Sequence, residues 1–373
     1  MKKFIGRIFV FVLAVVLALT LTACKKDENV VRVGIHANEG GATLFAVAQK
    51  MGYFEEQGLT IELTIVESGP AEMTAMRASN RTLDIGYIGA GVAWNALDDS
   101  GNRLQFVYLD TLSISEALIA DPAKKNVDSE SSWTELYEAL KGSTVAIQVD
   151  ATPGTWFKNF LAKVNAEAGV PDAQKLWIYC EVDAYLADYT APNTNPAYKV
   201  TVVNESNENL PQSYQAHEYD FYCGFAPSTL SIINAGGVQV ANTATHLPEF
   251  TFPSTWVASV AWMQENPAVV QKFINALAKA SKYRAEHIEQ SLRWAEEICQ
   301  VNEGTFKADV MIAPSADELY DWFKDFDGRG YTYMKALYDS KVGNVPAGNR
   351  VKTLPETMNF SYMLKALSEV VSK

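Results

Sequence analysis

"LDIGYIGAGVAW", residues 83–94, is a short apolar run that ends in a glycine turn and opens into helix-forming residues. Gly89-Ala90-Gly91 has the opening spacing of a dinucleotide fingerprint, and Asp110 ends the next apolar run, "RLQFVYLD", about 20 residues on. The fingerprint then fails. Its third position wants a small residue, because helix and strand pack closely there, and that position holds Trp94. The run is also the third strand-like segment of its block, whereas the fingerprint uses the first. What survives is the general unit: an apolar strand, a small-residue turn and a helix, whose turns line the binding crevice of an open α/β sheet.

The same unit recurs on both sides. "VVRVGI" (30–35) reads as a strand and "ATLFAVAQKMGYFEEQG" (42–58) as an amphipathic helix stopped by Gly58. "LTIELTIV" (59–66) reads as a strand and "PAEMTAMRAS" (70–79) as a helix with Pro70 in its first turn. "SSWTELYEALKG" (131–142) predicts a capped helix, followed by the strand "STVAIQV", the loop "DATPGT" and the helix "WFKNFLAKVNAEAG". This order predicts an α/β fold of mostly parallel sheets flanked by helices, and the repeated block predicts two lobes. After Phe252 come the strand-like "STWVASVAWM" and, from Pro267, long helical periods.

Four strand ends carry small or hydroxyl residues ahead of a helix: "HANEGGAT", "ESGPAEM", "GYIGAG" and "DATPGTWF". Helix N-termini offer unpaired N–H groups and a positive dipole end, and glycine lets a ligand come close. Three such turns in one half and one in the other predict a site in a cleft between lobes.

The 373 residues allow two domains with real cores. The first 23, with Lys2, Lys3 and Arg7 ahead of an apolar core from Ile8 to Leu21, have the order of a secretory signal peptide. Leu21-Thr22-Ala23-Cys24 resembles a bacterial lipobox, which implies a lipid on Cys24 and residues 24–29 as a tether. Losing those three cations takes the net charge from −13 to −16, which argues against nucleic acid and against anionic lipid surfaces. Cys180, Cys223 and Cys299 match no zinc spacing; Cys180 and Cys223 are either a disulfide or buried thiols.

"MGYFEEQGLTIEL", "ESGPAEMTAMRASNRTLDIGYIGAGVAW", "LKGSTVAIQVDATPGT" and "YDFYCGFAPSTL" resemble the solute-binding proteins of nitrate/sulfonate/taurine-type ABC importers and the related thiamine-pyrimidine-binding proteins. The resemblance implies a type II periplasmic-binding-protein fold. It places residues 30–112 and 243–373 in lobe 1 and 113–242 in lobe 2, with crossings near Thr111–Ser113 and Ala241–Phe252. It implies capture of a solute that both lobes contact, and delivery to a permease and its ATPase. A lipid-anchored monomer without cofactor, metal or catalysis is the corresponding expectation; a surface lipoprotein or sensor without transport is the more distant one.

Carried over by position, the ligand-binding set is Asn38, Gly40, Gly41, Ser68, Gly69, Pro70, Gly89, Ala90, Gly91 and Thr111, with Thr152, Gly154 and Thr155 from the second lobe. Tyr222 and Phe225 either cap the cleft or pack in the core. The resemblance implies a sulfonate, taurine or nitrate as solute, or alternatively a thiamine-precursor pyrimidine or other nitrogen heterocycle. These loops hold no arginine or lysine, while Glu39, Asp110 and Asp150 lie at or beside them. Such carboxylates are either solvated and capping, or pair with an amine or protonated ring nitrogen. His36 after the first strand is either a satisfied loop residue or a ligand contact.

Overall fold

The computed structural model describes residues 29–78, 80–94, 104–187, 189–247, 251–342 and 350–371. The expected signal peptide, Cys24 and most of the tether lie outside them.

The first layer begins with β1 (Val30–His36), α1 (Glu39–Lys50), β2 (Thr60–Val66), α2 (Gly69–Arg77), β3 (Ile85–Gly89) and β4 (Leu104–Ser113). The chain then enters a second sheet through β5 (Ala117–Ala120), α3 (Trp133–Leu140), β6 (Thr144–Ile147), α4 (Thr152–Glu167), β7 (Trp177–Tyr179), β8 (Lys199–Asn204), β9 (Phe221–Gly224) and β10 (Val238–Asn242). It returns with β11 (Phe252–Ser259), α5 (Pro267–Glu286), α6 (Ile288–Cys299), β12 (Met311–Ile312), α7 (Ala316–Phe323), α8 (Arg329–Val342) and α9 (Ser361–Val371). The sheet orders are β12-β4-β11-β3-β1-β2 and β10-β5-β9-β6-β8-β7.

Each sheet has a parallel part that runs to one edge, β2-β1-β3 in one and β9-β6-β8-β7 in the other. Antiparallel strands continue each of them: β11 pairs antiparallel with β3 and β4, and β5 with β9 and β10. Parallel order is therefore less extensive than the βαβα alternation predicts. The added strands are those on either side of the two passages between sheets, where the chain leaves the βαβ pattern.

Local signals act where they were read, with shifted boundaries. Ser132 and Glu135 form a capping box that starts α3. The helix expected over 42–58 begins earlier, because Asn38 accepts from Gly40 N and caps α1. It also breaks early at Gly52, whose φ of 71° is the left-handed turn that glycine allows. α4 takes in Thr152, Pro153, Gly154 and Thr155, so "DATPGT" is mostly a first helical turn rather than a loop. "STWVASVAWM" is divided, strand to Ser259 and a short helix over Val260–Glu265.

The core lies between sheet and helices. β11 is buried along its whole length. Phe54 stacks on Phe273 with ring centroids 5.0 Å apart, fastening the chain after α1 to α5. Each such buried phenylalanine contributes about 1.5–3 kcal/mol. Cys180, Cys223 and Cys299 are buried free thiols.

Candidate functional site

A chamber lies between the two sheets, where loops from both converge. The first layer supplies His36 at the end of β1 and Asn38 after it, Ser68, Gly69 and Pro70 at the start of α2, Tyr87 and Gly89 from β3, and Ser254 from β11. The second supplies Gln148, Ala151 and Thr152 before and at the start of α4, and Phe225 after β9. Ser113 and Glu116 come from the passage between β4 and β5.

Glu116 is the side chain on which these parts meet. Its carboxylate accepts from Thr152 Oγ1 at 2.7 Å and from Ser113 Oγ at 3.2 Å. Its backbone carbonyl accepts from Thr243 N at 3.0 Å and Thr243 Oγ1 at 3.3 Å, which ties in the second passage of the chain between sheets. The side chain is 1% exposed. Burial pushes its carboxyl up to about 7, against the lowering effect of the hydrogen bonds from Thr152, its own backbone, Ser113 and Thr243.

Opposite lies a buried pair. His36 Nδ1 is 2.8 Å from Glu72 Oε1, and burial raises the Glu72 carboxyl while His36 opposes the rise. With Nδ1 so engaged, Nε2 is the ring nitrogen His36 can offer a solute. Asn38 Oδ1 takes hydrogen bonds from Gly40 N at 2.8 Å and Tyr87 Oη at 3.1 Å, which leaves Nδ2 as its free chemistry. Among the described residues lining this chamber there is no lysine or arginine. It offers hydroxyls, amides, an imidazole and a carboxylate, a set suited to a solute that donates hydrogen bonds.

Of the residues expected at the site, Asn38, Ser68, Gly69, Pro70, Gly89, Thr152 and Phe225 line this chamber together. Thr155 and Asp150 line an adjoining one with Pro70. The others do not reach either. Gly40 and Gly41 lie in α1 against Tyr87; a Cβ on Gly41 would stand 1.9 Å from Tyr87 Cγ, so glycine there serves helix–sheet contact. Thr111 and Ala90 are buried in the first layer, and Gly91 faces Leu337 of α8. Gly154 faces the Val149 carbonyl, which a Cβ would approach to 2.3 Å. Tyr222 is core: its hydroxyl donates to Ser213 O at 3.0 Å.

Two of the three carboxylates read as loop groups are structural. Asp110 pairs with Arg284 of α5, both fully buried, and accepts from Trp256 Nε1 at 2.8 Å. Glu39 is buried with its carboxyl pushed up to about 7 by burial, beside the Lys307 backbone. Glu116, Tyr87, Ser113, Gln148 and Ser254 were not anticipated. Glu116 had a signal in sequence: it is the lone charge in "SISEALIA", immediately before an apolar strand and just past the predicted crossing.

A model of the NMT1-like family matches residues 25–300. A protein of Brucella abortus (strain 2308), named as a candidate binding protein, is 25% identical over 324 residues, covering 86% of this chain and 88% of its own. Among solved structures, the periplasmic nitrate-binding protein NrtA of Synechocystis PCC 6803 superimposes with a TM-score of 0.63 at 12% identity, over 92% of this chain and 89% of that one. The periplasmic aliphatic sulphonate binding protein SsuA of Escherichia coli gives 0.57 at 13%, over 89% and 92%. The desulfurization enzyme DszB gives 0.58 at 11%, over 92% and 99%. At these identities the likeness is one of fold, the two-sheet periplasmic-binding-protein fold.

Proposed function

This chain belongs to the NMT1-like family, and from that premise we propose that it is the extracytoplasmic solute-binding component of an ABC importer. It closes around a small organic solute between the two sheets and delivers it to a membrane permease. The solute carries a nitrogenous, hydrogen-bond-donating group: an amine, or the amino and protonated ring nitrogens of a heterocycle. The observation that carries this reading is Glu116, a buried carboxylate between the two passages of the chain, in a chamber whose described lining holds no lysine or arginine. A bare nitrate or sulfonate would meet a carboxylate there and no countercharge. NrtA and SsuA are named for such anions; the polar set of this chamber differs from that chemistry.

The reading is one of binding, and Cys223 supplies no nucleophile against it. Cys223 is fully buried and burial raises its thiol far above the usual range, so it is held protonated and unreactive. Lipid attachment at Cys24 would keep the protein beside its permease.

The test is thermal shift of the chain from Lys25 onward against aminopyrimidines, flavins, thiamine, taurine, alkanesulfonates and nitrate. A solute at 100 times its dissociation constant adds about 2.7 kcal/mol of stability. A rise with the nitrogenous compounds supports the reading. A rise with nitrate or alkanesulfonates alone overturns it in favour of an anion importer.

A further inference from the structure

His36 is bonded to a carboxylate for which the first sheet leaves room. Glu72 projects from α2 and is fully buried. Gly34 of β1 and Gly86 of β3 stand side by side in the sheet at that point. A Cβ on Gly86 would come within 2.6 Å of Glu72 Oε2, and one on Gly34 within 3.4 Å of its Cγ. Two neighbouring strands thus give up a side chain each where this carboxylate lies. Packing alone gives no reason for an acid there, since an apolar side chain would fill the space without the cost of desolvating a charge.

Its partner supplies the reason. Glu72 Oε1 lies 2.8 Å from His36 Nδ1, and among the described residues His36 is the one side chain whose charge acts on Glu72. The Tyr87 ring, with its centroid 5.4 Å from that of His36, adds no charge, because burial pushes its phenol well above the ordinary range. The charge of the pair is therefore settled between its two members. An ionised Glu72 beside a neutral His36 buries a net negative charge. One more proton makes the pair neutral, and the burial that raises the Glu72 carboxyl favours that state. The shared proton then sits on Nδ1, giving imidazolium beside carboxylate, or on Oε1, giving imidazole beside carboxylic acid. In both arrangements Nε2 carries a hydrogen. His36 lines the chamber, and with Nδ1 turned to Glu72 the Nε2 edge is the one it presents there.

We propose that Glu72 holds His36 as a hydrogen-bond donor at Nε2, so that the solute carries an acceptor for His36, an unprotonated ring nitrogen or a carbonyl oxygen, as well as a donor for Glu116. The inference rests on the solute-binding reading above and narrows it. A simple amine satisfies Glu116 alone; a heterocycle with an amino group and a bare ring nitrogen satisfies both walls. Closure around a solute without the acceptor buries the Nε2 hydrogen unpaired, which penalises that solute.

Two measurements test it. Long-range proton–nitrogen correlation spectra of the protein labelled with [15N]histidine, at pH 7, show which ring nitrogens are protonated in each of its four histidines, with His36→Phe identifying the His36 signals. A protonated Nε2 is expected; a bare Nε2 with the proton on Nδ1 overturns the proposal. This readout needs no solute and so stands apart from the solute-binding reading. Calorimetry then compares 4-aminopyrimidine, which has both donor and acceptor, with aniline, which has the donor alone. The aminopyrimidine should bind about tenfold tighter, a difference of about 1.4 kcal/mol. That advantage should vanish in His36→Phe and shrink in Glu72→Leu, each checked for fold by circular dichroism. Should Glu72→Leu not fold, the spectra of the wild type and the calorimetry of His36→Phe decide. No advantage, or one that survives in either variant, overturns the acceptor at His36 while leaving the Glu116 reading standing. Failure of both probes to bind overturns that reading as well.

Discussion

Thr152 donates a hydrogen bond to Glu116 across 2.7 Å, joining the first turn of α4 to the passage between β4 and β5. A residue at a crossing of the chain is thereby also a residue of the chamber. Its carboxyl, pushed up to about 7, is mostly protonated in mildly acid solution and ionised above neutrality. A permanently cationic probe such as benzamidine requires the ionised form. Affinity is therefore expected to strengthen as pH rises towards 7, by up to about tenfold per pH unit, and to level off above it. Glu116→Gln should weaken binding and flatten the profile. Calorimetry from pH 5.5 to 8 measures both; an equally steep profile in the variant would show that Glu116 is not the group responsible.

Glu39 provides a stability counterpart away from the solute. Its carboxyl stands at about 7 when folded, against 4.5 ordinarily, so the folded state holds its proton more tightly than the unfolded chain does. Stability from this group is fully present below about 4.5 and is lost as pH rises to about 7, by up to about 1.4 kcal/mol per unit. Glu39→Gln removes that loss. Urea denaturation should show the variant gaining on the wild type between pH 5 and pH 7.5; a constant difference across that range would place the ionised carboxylate in a better-solvated position than its burial indicates.

The sequence was legible where local chemistry decides and opaque where distant residues meet. Ser132 with Glu135 act through neighbours a few positions away, and the start of α3 was read from them; Asn38 and Gly52 act as locally, yet the helix expected over 42–58 runs over Glu39–Lys50. The strand-end turns led to Ser68, Gly69, Pro70, Gly89 and Thr152, which do line one chamber. Gly40, Gly41 and Gly154 look the same in sequence, but their missing side chains make room for Tyr87 and the Val149 carbonyl. A glycine that admits a ligand and one that admits the protein's own atoms differ only in three dimensions. Asp110 was misread as a loop group for the same reason, because its partner Arg284 lies 174 residues away.

Gly41 allows that distinction to be measured. Glycine to alanine inside a helix ordinarily stabilises by about 1 kcal/mol. Here a Cβ would stand 1.9 Å from Tyr87 Cγ and 2.6 Å from Tyr87 Cβ, atoms close to the β3 backbone that cannot swing aside. Overpacking costs about 1–3 kcal/mol, so Gly41→Ala should destabilise on balance. A raised melting temperature would contradict the contact. Because Tyr87 lines the chamber and bonds Asn38, the variant should also weaken solute binding.

Asp110 and Arg284 are fully buried, with Arg284 Nη2 also donating to the Asp110 carbonyl at 2.9 Å and Nη1 to Thr43 at 3.3 Å. Burial raises the Asp110 carboxyl, and the Arg284 charge and hydrogen bonds from Arg284 and Trp256 hold it down. Such a pair gains little over an apolar core, because desolvating two charges offsets their attraction. Breaking it is another matter, since the surviving charge has no water to return to. Asp110→Asn or Arg284→Met alone should each cost about 3–5 kcal/mol. Asp110→Leu with Arg284→Met should cost less than the two single losses together, because no orphaned charge remains. Chemical denaturation of the two single variants, of Asp110→Leu alone and of the double variant completes the cycle. Additive losses would show that Asp110 and Arg284 do not depend on each other in holding α5 to β4, with the ion pair as a bystander.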